Sequence, residues 1–358
     1  GENHMSVQKL NMTKTNSYEG NVIDGGLIWG DGPEGISAAL LDTAAYGRAL
    51  TNIKLTVGKT YEAEYYMHNC TGTNVIMAIC VKNMSTSQSG SVTVLKSAVV
   101  NAPKEIYKQG MMAAFEKNSQ SHTLAVHPGT SAYTDQGCTS LVNSGSLTNS
   151  YISNARVRFK VNSGDNLYLK IVAVKYQSDW LKRAGWANVV NAADLEKADP
   201  LAKMIENGYI KYNEGASLTG LYANVARNVT VPNLEPFHLC LGDHEDTATG
   251  RRAIDKYNNG EFEDPTNTVA IRESCNQGNF GVVYAIYCSN ANANYVTIKP
   301  AMDRCDNGSY TVKLNGVWQT VNATKTVPAK LKLIGGHSIW FALNGGNYGD
   351  IELQFTEN

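Results

Sequence analysis

The densest acidic run in the chain is Asp243-His244-Glu245-Asp246. Its three carboxylates suit calcium, a hard cation that takes several oxygen ligands. The spacing of an EF-hand loop is missing, and a solvated turn is the competing reading. Asp243, Glu245 and Asp246 therefore stand as a candidate calcium site, completed by Glu261, Glu263 and Asp264 only if the fold brings them near. No other cofactor is expected. His68, His122, His127, His238 and His337 occur singly, without the H-E-x-x-H or His-x-His spacing that makes a ligand pair. The 7 cysteines include no C-x-x-C, and their odd number leaves at least one thiol unpaired within the chain. One or two disulfides are open, with no pairing favoured.

Nucleophile signatures are absent: there is no G-x-S-x-G elbow and no phosphate loop. Gly25-Gly26 and Gly30-x-Gly32 lack the Lys-Ser/Thr that a phosphate loop requires and read as turns. A hydrolase drawing two acids from distant parts of the chain is an open alternative, since glycosidases do this, but no pair is singled out. Trp180, Trp186, Trp318 and Trp340, with 19 Tyr, raise a carbohydrate-binding alternative in which exposed rings stack on sugars. The competing reading is that these aromatics fill cores and hairpin faces. Trp180 and Trp186 are expected to pack at a domain interface.

Composition narrows the classes further. Lys and Arg number 31 against 32 Asp and Glu, and charged residues make up only 18% of the chain. That balance argues against a nucleic-acid partner or a basic membrane-surface protein, either of which needs excess positive charge to meet phosphate. Apolar residues at 42% are enough for real cores, and 36 Asn with 32 Gly imply many tight turns. No apolar run is long enough to cross a membrane as a helix. Gly1–Met5 reads as a cloning remnant, and a removed secretory signal is expected ahead of Ser6.

Period-two alternation runs through the chain, and helical periodicity is nearly absent. Ala155, Val157, Phe159 and Val161 alternate with Arg156, Arg158 and Lys160, predicting a strand with one face in a core and one in water. Val75–Val81 is apolar on both faces, as in a central covered strand, and Tyr61–His68 is its expected hairpin partner across Asn69–Asn74. Asn315-Gly316 between Tyr310–Leu314 and Val317–Val321 is a strong hairpin signal, because both central positions of a type I′ turn need positive φ. Ile351, Leu353 and Phe355 predict a terminal strand. One segment is helical: Asp199 as N-cap, Pro200 at the first position, a Leu201–Met204–Ile205 stripe and Gly208 as stop.

Several motifs together resemble a class of secreted, β-rich cell-surface proteins of Gram-positive bacteria. Members of that class often carry surface-layer homology or copper-amine-oxidase-N-terminal-like repeats elsewhere. The resemblance rests on Tyr65-Tyr66-Met67-His68-Asn69-Cys70-Thr71-Gly72, preceded by Pro33-Glu34-Gly35-Ile36 and followed by Val81-Lys82-Asn83. Gly278-Asn279-Phe280-Gly281-Val282-Val283-Tyr284 and the closing Gly345-Gly346-Asn347 to Phe355 continue it. Asp199-Pro200-Leu201 leads to Leu218–Tyr222, where Ser217 and Thr219 replace the basic pair of the class's His-x-Arg-Gly-Thr-Phe. The resemblance implies structural roles for His68, Asn69, Thr71, Gly72, Asn279, Phe280, Gly281 and Tyr284. It implies a secreted surface module and no reaction.

The expectation is an all-β protein of 358 residues: two β-sandwich-like domains, 6–176 and 215–358, joined by a connector with a short helix over 177–214. Its expected role is non-catalytic, structural or adhesive, at an extracellular surface. Expected partners are a cell-envelope component, a glycan or a neighbouring protein.

Overall fold

A computed structural model describes residues 10, 12–30, 34–42, 47–49, 53–128, 138–175, 220–222, 224–239, 280–301, 306–347 and 351–358. The protein is all-β, built from sandwich-like packed sheets. No helix among the described residues is long and apolar enough to cross a membrane. The expected connector helix at 199–208 lies outside the described residues.

A middle sheet positions the candidate site. Its strands run in the order His122–Val126, Gly90–Ala102, Ile152–Ser163, Thr60–Cys70, Gly26–Gly30 and Gly220–Tyr222, with Gly35–Ser37 also paired to Thr60–Cys70. An outer sheet of Cys138–Asn143, Val75–Asn83, Leu167–Lys175 and two short strands, Gly47–Ala49 and Ile53–Lys54, covers one face. The core between them is made by the predicted alternation: Tyr61, Ala63, Tyr65 and Met67 beside Ala155, Val157, Phe159 and Val161, against Met77, Ile79, Leu169 and Ile171. Every residue of Val75–Asn83 is buried, as its two-sided apolar run requires.

The expected hairpin between Tyr61–His68 and Val75–Val81 does not form. Thr60–His68 pairs with Ile152–Lys160, and Val75–Asn83 pairs with Leu167–Lys175, so the two strands lie in facing sheets. Buried Asn69 makes this corner. Its amide donates to the carbonyls of Thr73 (2.8 Å) and Leu147 (3.1 Å), and its Oδ1 accepts from the backbone N–H and hydroxyl of Thr71. Turning the chain into the second sheet buries apolar surface that a flat hairpin would leave wet.

The other face of the middle sheet is covered by the C-terminal half. A six-stranded sheet runs Met12–Thr15, Ala226–Val231, Val283–Cys288, Ser338–Leu343, Asn307–Leu314 and Val317–Thr324. A four-stranded sheet of Phe237–Leu239, Ile351–Thr356, Tyr295–Pro300 and Ala329–Lys332 joins the same core. The Asn315-Gly316 hairpin forms with φ of 50° and 74° at its two turn residues.

Two strands lie across the boundaries at 6–176 and 215–358. Met12–Thr15 sits at the edge of the C-terminal sheet, and Gly220–Tyr222 sits at the edge of the middle sheet. Between the layers lies a helix that alternation concealed, Met111–Lys117, packed against strands of the middle sheet and of the C-terminal hairpin. Asn344 ties it down: its Oδ1 accepts from the Met112 N–H at 3.2 Å and from the Thr311 hydroxyl at 2.9 Å.

Candidate functional site: a buried charge cluster and its cleft

The Arg156–Arg158 face expected in water is buried: Arg156 is 0% and Arg158 3% exposed. The reason is tertiary, since the helix Met111–Lys117 and the C-terminal sheet cover that face. Opposite the arginines, on Thr60–Cys70, stand Glu62 and Glu64, both 0% exposed. Register pairs Arg156 with Glu64 and Arg158 with Glu62 across the two antiparallel strands. Side chains at alternate positions share a face, so Glu-x-Glu meets Arg-x-Arg as a square of opposite charges.

The geometry is charge-assisted throughout. Arg156 donates from Nε to Glu62 Oε2 (2.9 Å), from Nη1 to Glu64 Oε1 (2.9 Å), and from Nη2 to Glu62. Arg158 donates from Nε to Glu62 Oε1 at 3.0 Å. Asn154 donates to the Tyr65 carbonyl at 2.7 Å and to Glu64 Oε2 at 3.3 Å. Phe115, from the helix, lies under both guanidinium groups, 5.1 Å and 5.8 Å from their carbons. Burial raises the pKa of Glu62, but Arg156 and Arg158 outweigh it and hold the carboxyl below its usual range. For Glu64 burial prevails over Arg156, and the pKa rises.

Tyr18 extends the cluster. Its hydroxyl oxygen accepts from Arg158 Nη2 at 2.7 Å and lies 2.7 Å from both Glu62 Oε1 and Glu116 Oε1. A phenol has one proton to donate, so it satisfies one of these carboxylates. Glu62, held ionised by two arginines, is the natural acceptor. Glu116 then completes the chain by carrying a proton of its own and donating it to the Tyr18 oxygen. Burial, reinforced by Glu62, pushes Glu116 to about 7. With Glu116 neutral, two arginines face two carboxylates and the buried charge balances.

Glu116 also lines a cleft of about 460 Å³ with Glu19, Asn21, Lys96, Lys117, Lys313, Gly316, Val317 and Trp318. Lys96 reaches it through a β-bulge. A register shift between Val94 and Lys96 turns Lys96, Ala98 and Val100 onto the face of Arg158, Arg156 and Asn154. The Lys96 ammonium donates to the Glu116 carbonyl at 2.6 Å. On the opposite wall, Glu19 sits at φ 53° in a tight turn. It pairs with Lys313 and accepts the Trp318 indole N–H at 3.1 Å.

Of the candidate residues, Trp318 therefore lies in the cleft wall, 5% exposed, and half-buried Trp340 packs on Tyr18 at a ring separation of 6.0 Å. Trp180, Trp186, Asp243, Glu245, Asp246 and Asn279 lie outside the described residues, and with them the calcium expectation. His68 Nε2 contacts the Ser150 carbonyl at 2.9 Å, and the Gly72 N–H donates to Asn149 Oδ1 at 2.8 Å, so both serve the Asn69 turn. Tyr284 is buried in the C-terminal core. Phe280 stacks on Trp29 at 5.4 Å.

Gly281 roofs the charge cluster. At φ 82°, a Cβ there would lie 2.8 Å from Leu27 Cδ2 and 2.9 Å from Arg156 Nη1. Gly281→Ala combines left-handed strain with overpacking against the cluster, and is expected to cost about 2–4 kcal/mol. A urea midpoint equal to that of the unaltered protein would refute this packing.

Tyr18, Glu62, Glu64 and Glu116 carry no recognised motif, and Arg156 and Arg158 read from the sequence as a solvated strand face. The signal that could have found four of them is the complementary Glu62-Ala-Glu64 and Arg156-Val-Arg158 pair on two alternating strands. Among the described cysteines, Cys70 is exposed and Cys80 and Cys288 are buried.

No protein-family model matches the chain, and no curated protein matches it. Similarity to solved structures is slight. The CUB1-EGF-CUB2 domains of rat MASP-1 align at 10% identity over 89% of this chain and 99% of that one, with a TM-score of 0.19. Vicilin from Capsicum annuum aligns at 10% identity over 82% and 71%, with a TM-score of 0.13. Procruciferin from Brassica napus aligns at 7% identity over 88% and 84%, with a TM-score of 0.16. At these scores the alignments carry no functional inference.

Proposed function

We propose that the chain is a non-catalytic structural or adhesive module of an extracellular cell surface, meeting an envelope component, a glycan or a neighbouring protein. The observation that carries this reading is the interlock of the two halves. Each half lends an edge strand to the other's sheet, and a buried Glu–Arg cluster lies between them. A buried ion pair adds little net stability, but it penalises every misaligned packing of the layers. That suits a part whose task is to keep its shape. The sequence motifs shared with secreted surface proteins support the location.

The test is mechanical. Pulled from its two ends in single-molecule force spectroscopy, the chain is expected to unfold in one cooperative event. Two independent events, one per half, would overturn the interlocked-module reading. The carbohydrate-binding alternative asks for several exposed aromatics on one face. Among the described residues Tyr287 is the exposed aromatic, so that alternative draws on Trp180 and Trp186. The hydrolase alternative would draw on Glu19 and Glu116, which share the cleft. Both Glu19 oxygens are engaged, by Lys313 and Trp318, and this favours a positioning role over attack.

A further inference from the structure

We propose that the cleft between Glu19, the end of the helix Met111–Lys117 and the Asn315-Gly316 hairpin binds a small ring-bearing carboxylate of the size of a sugar acid. Its carboxylate would lie between Lys96 and Lys117, and its ring against Val317. The cleft has the right size: about 460 Å³ lies within the range of small-molecule sites. The walls come from four separate parts of the chain: Glu19 and Asn21, Lys96, Glu116 and Lys117, and the hairpin residues from Lys313 to Trp318.

Charge selects the ligand. Lys96, Lys117 and Lys313 face Glu19 and Glu116 across the cleft. Lys313 and Glu19 cancel each other in their ion pair. Glu116 turns its carboxyl to Tyr18. Lys96 spends one N–H on the Glu116 carbonyl and keeps two donors. Burial holds Lys96 below the usual lysine range, so its ammonium is short of water and gains from an anionic partner. Lys117 is exposed and has no partner among the described residues. The cleft thus presents two ammonium groups with unused donors beside a Glu116 carboxyl already bonded to Tyr18.

Shape selects against the alternatives. Lys313 lies 5.8 Å over the Trp318 ring, and Trp318 is largely covered, so a neutral sugar has no open aromatic face to stack on. Val317 is 54% exposed at the rim and offers apolar contact that a bare inorganic anion would not use.

The experiment follows the Trp318 indole N–H by NMR, assigned with Trp318→Phe, while D-glucuronate, glucose, acetate and inorganic phosphate are added in turn. Glucuronate is expected to bind saturably with a Kd of about 1 mM. Lys117→Ala, a surface change that leaves packing intact, is expected to weaken it at least about fivefold, and Lys96→Met by more. No saturable shift, or a shift indifferent to Lys117→Ala, would overturn the proposal. So would glucose, acetate or phosphate binding as tightly as glucuronate. None of these outcomes bears on the mechanical test above, so the two readings fail separately.

Discussion

Arg156→Met is expected to lower the unfolding free energy by about 3–5 kcal/mol, the cost of leaving buried carboxylates without their partner. Arg156 supplies three hydrogen bonds, two to Glu62 and one to Glu64. Without it Glu62 keeps Arg158 and Tyr18, whereas Glu64 keeps only the longer contact from Asn154. Glu64 then escapes its unpaired charge by taking up a proton, which is easier at low pH. The deficit should therefore be smaller near pH 5 than near pH 8, and Glu64→Gln in the Arg156→Met background should recover about 1–3 kcal/mol of it. Urea denaturation of the four proteins in that cycle measures both effects. Equal losses at the two pH values, with no recovery in the double variant, would refute the assigned pairing.

The second large effect is a fall in stability with rising pH that depends on Glu116. Its carboxyl titrates at about 7 in the folded protein, against 4.5 for the ordinary group. A raised folded pKa means that the native state holds the proton more tightly. Its stabilisation is complete below pH 4.5 and is lost as pH climbs to about 7. The loss is as much as about 3 kcal/mol, with a slope of up to about 1.4 kcal/mol per pH unit inside that window. Glu64 and Glu34, also raised by burial, act in the same direction above pH 4.5. Glu62 and Glu352, both lowered, act oppositely and below pH 4.5, where protonation removes the stability their ion pairs provide. The balance places maximal stability near pH 5. Glu116→Gln keeps a donor for the Tyr18 oxygen at every pH. It should flatten the curve between pH 5 and 7 relative to the unaltered protein. Subtracting the two curves isolates the contribution of Glu116. An unchanged slope in Glu116→Gln would show that Tyr18 and Glu116 do not share a proton as described.

Together these effects describe a cluster that sets alignment rather than adding net stability. The two arginines and two glutamates neutralise one another only when the Thr60–Cys70 and Ile152–Ser163 strands are in the observed register. A slip of one residue in either strand would turn that strand's two charges into the apolar core on the opposite face and leave the partner strand's two unpaired. Phe115 beneath the guanidinium groups and Gly281 above Arg156 require the helix and the C-terminal half to be in place as well.

Local periodicity alone determined that the chain is β-rich. Alternation at Ala155–Val161, the two-sided apolar run at Val75–Val81, the Asn315-Gly316 turn and the terminal strand at Ile351–Phe355 are each written in a few adjacent residues, because side-chain direction in a strand repeats every two positions. Trp318 was likewise legible as a residue of interest, though as a sugar platform and not as the indole donor to Glu19. Tertiary structure alone decided which strands meet. Nothing near Tyr61–His68 says that its partner is Ile152–Phe159 rather than Val75–Val81, since both offer an apolar face and the choice depends on surface buried far along the chain. The short helix Met111–Lys117 escaped notice for a related reason: seven residues carry too little periodic signal, and packing between layers stabilises it. The charged face of Arg156 and Arg158 looked like a solvated one because alternation reports that two faces differ, not what covers them. Only the fold brings Glu62, Glu64, Tyr18 and Glu116 to those arginines, and the electrostatic cost of burying each alone is what makes their meeting obligatory.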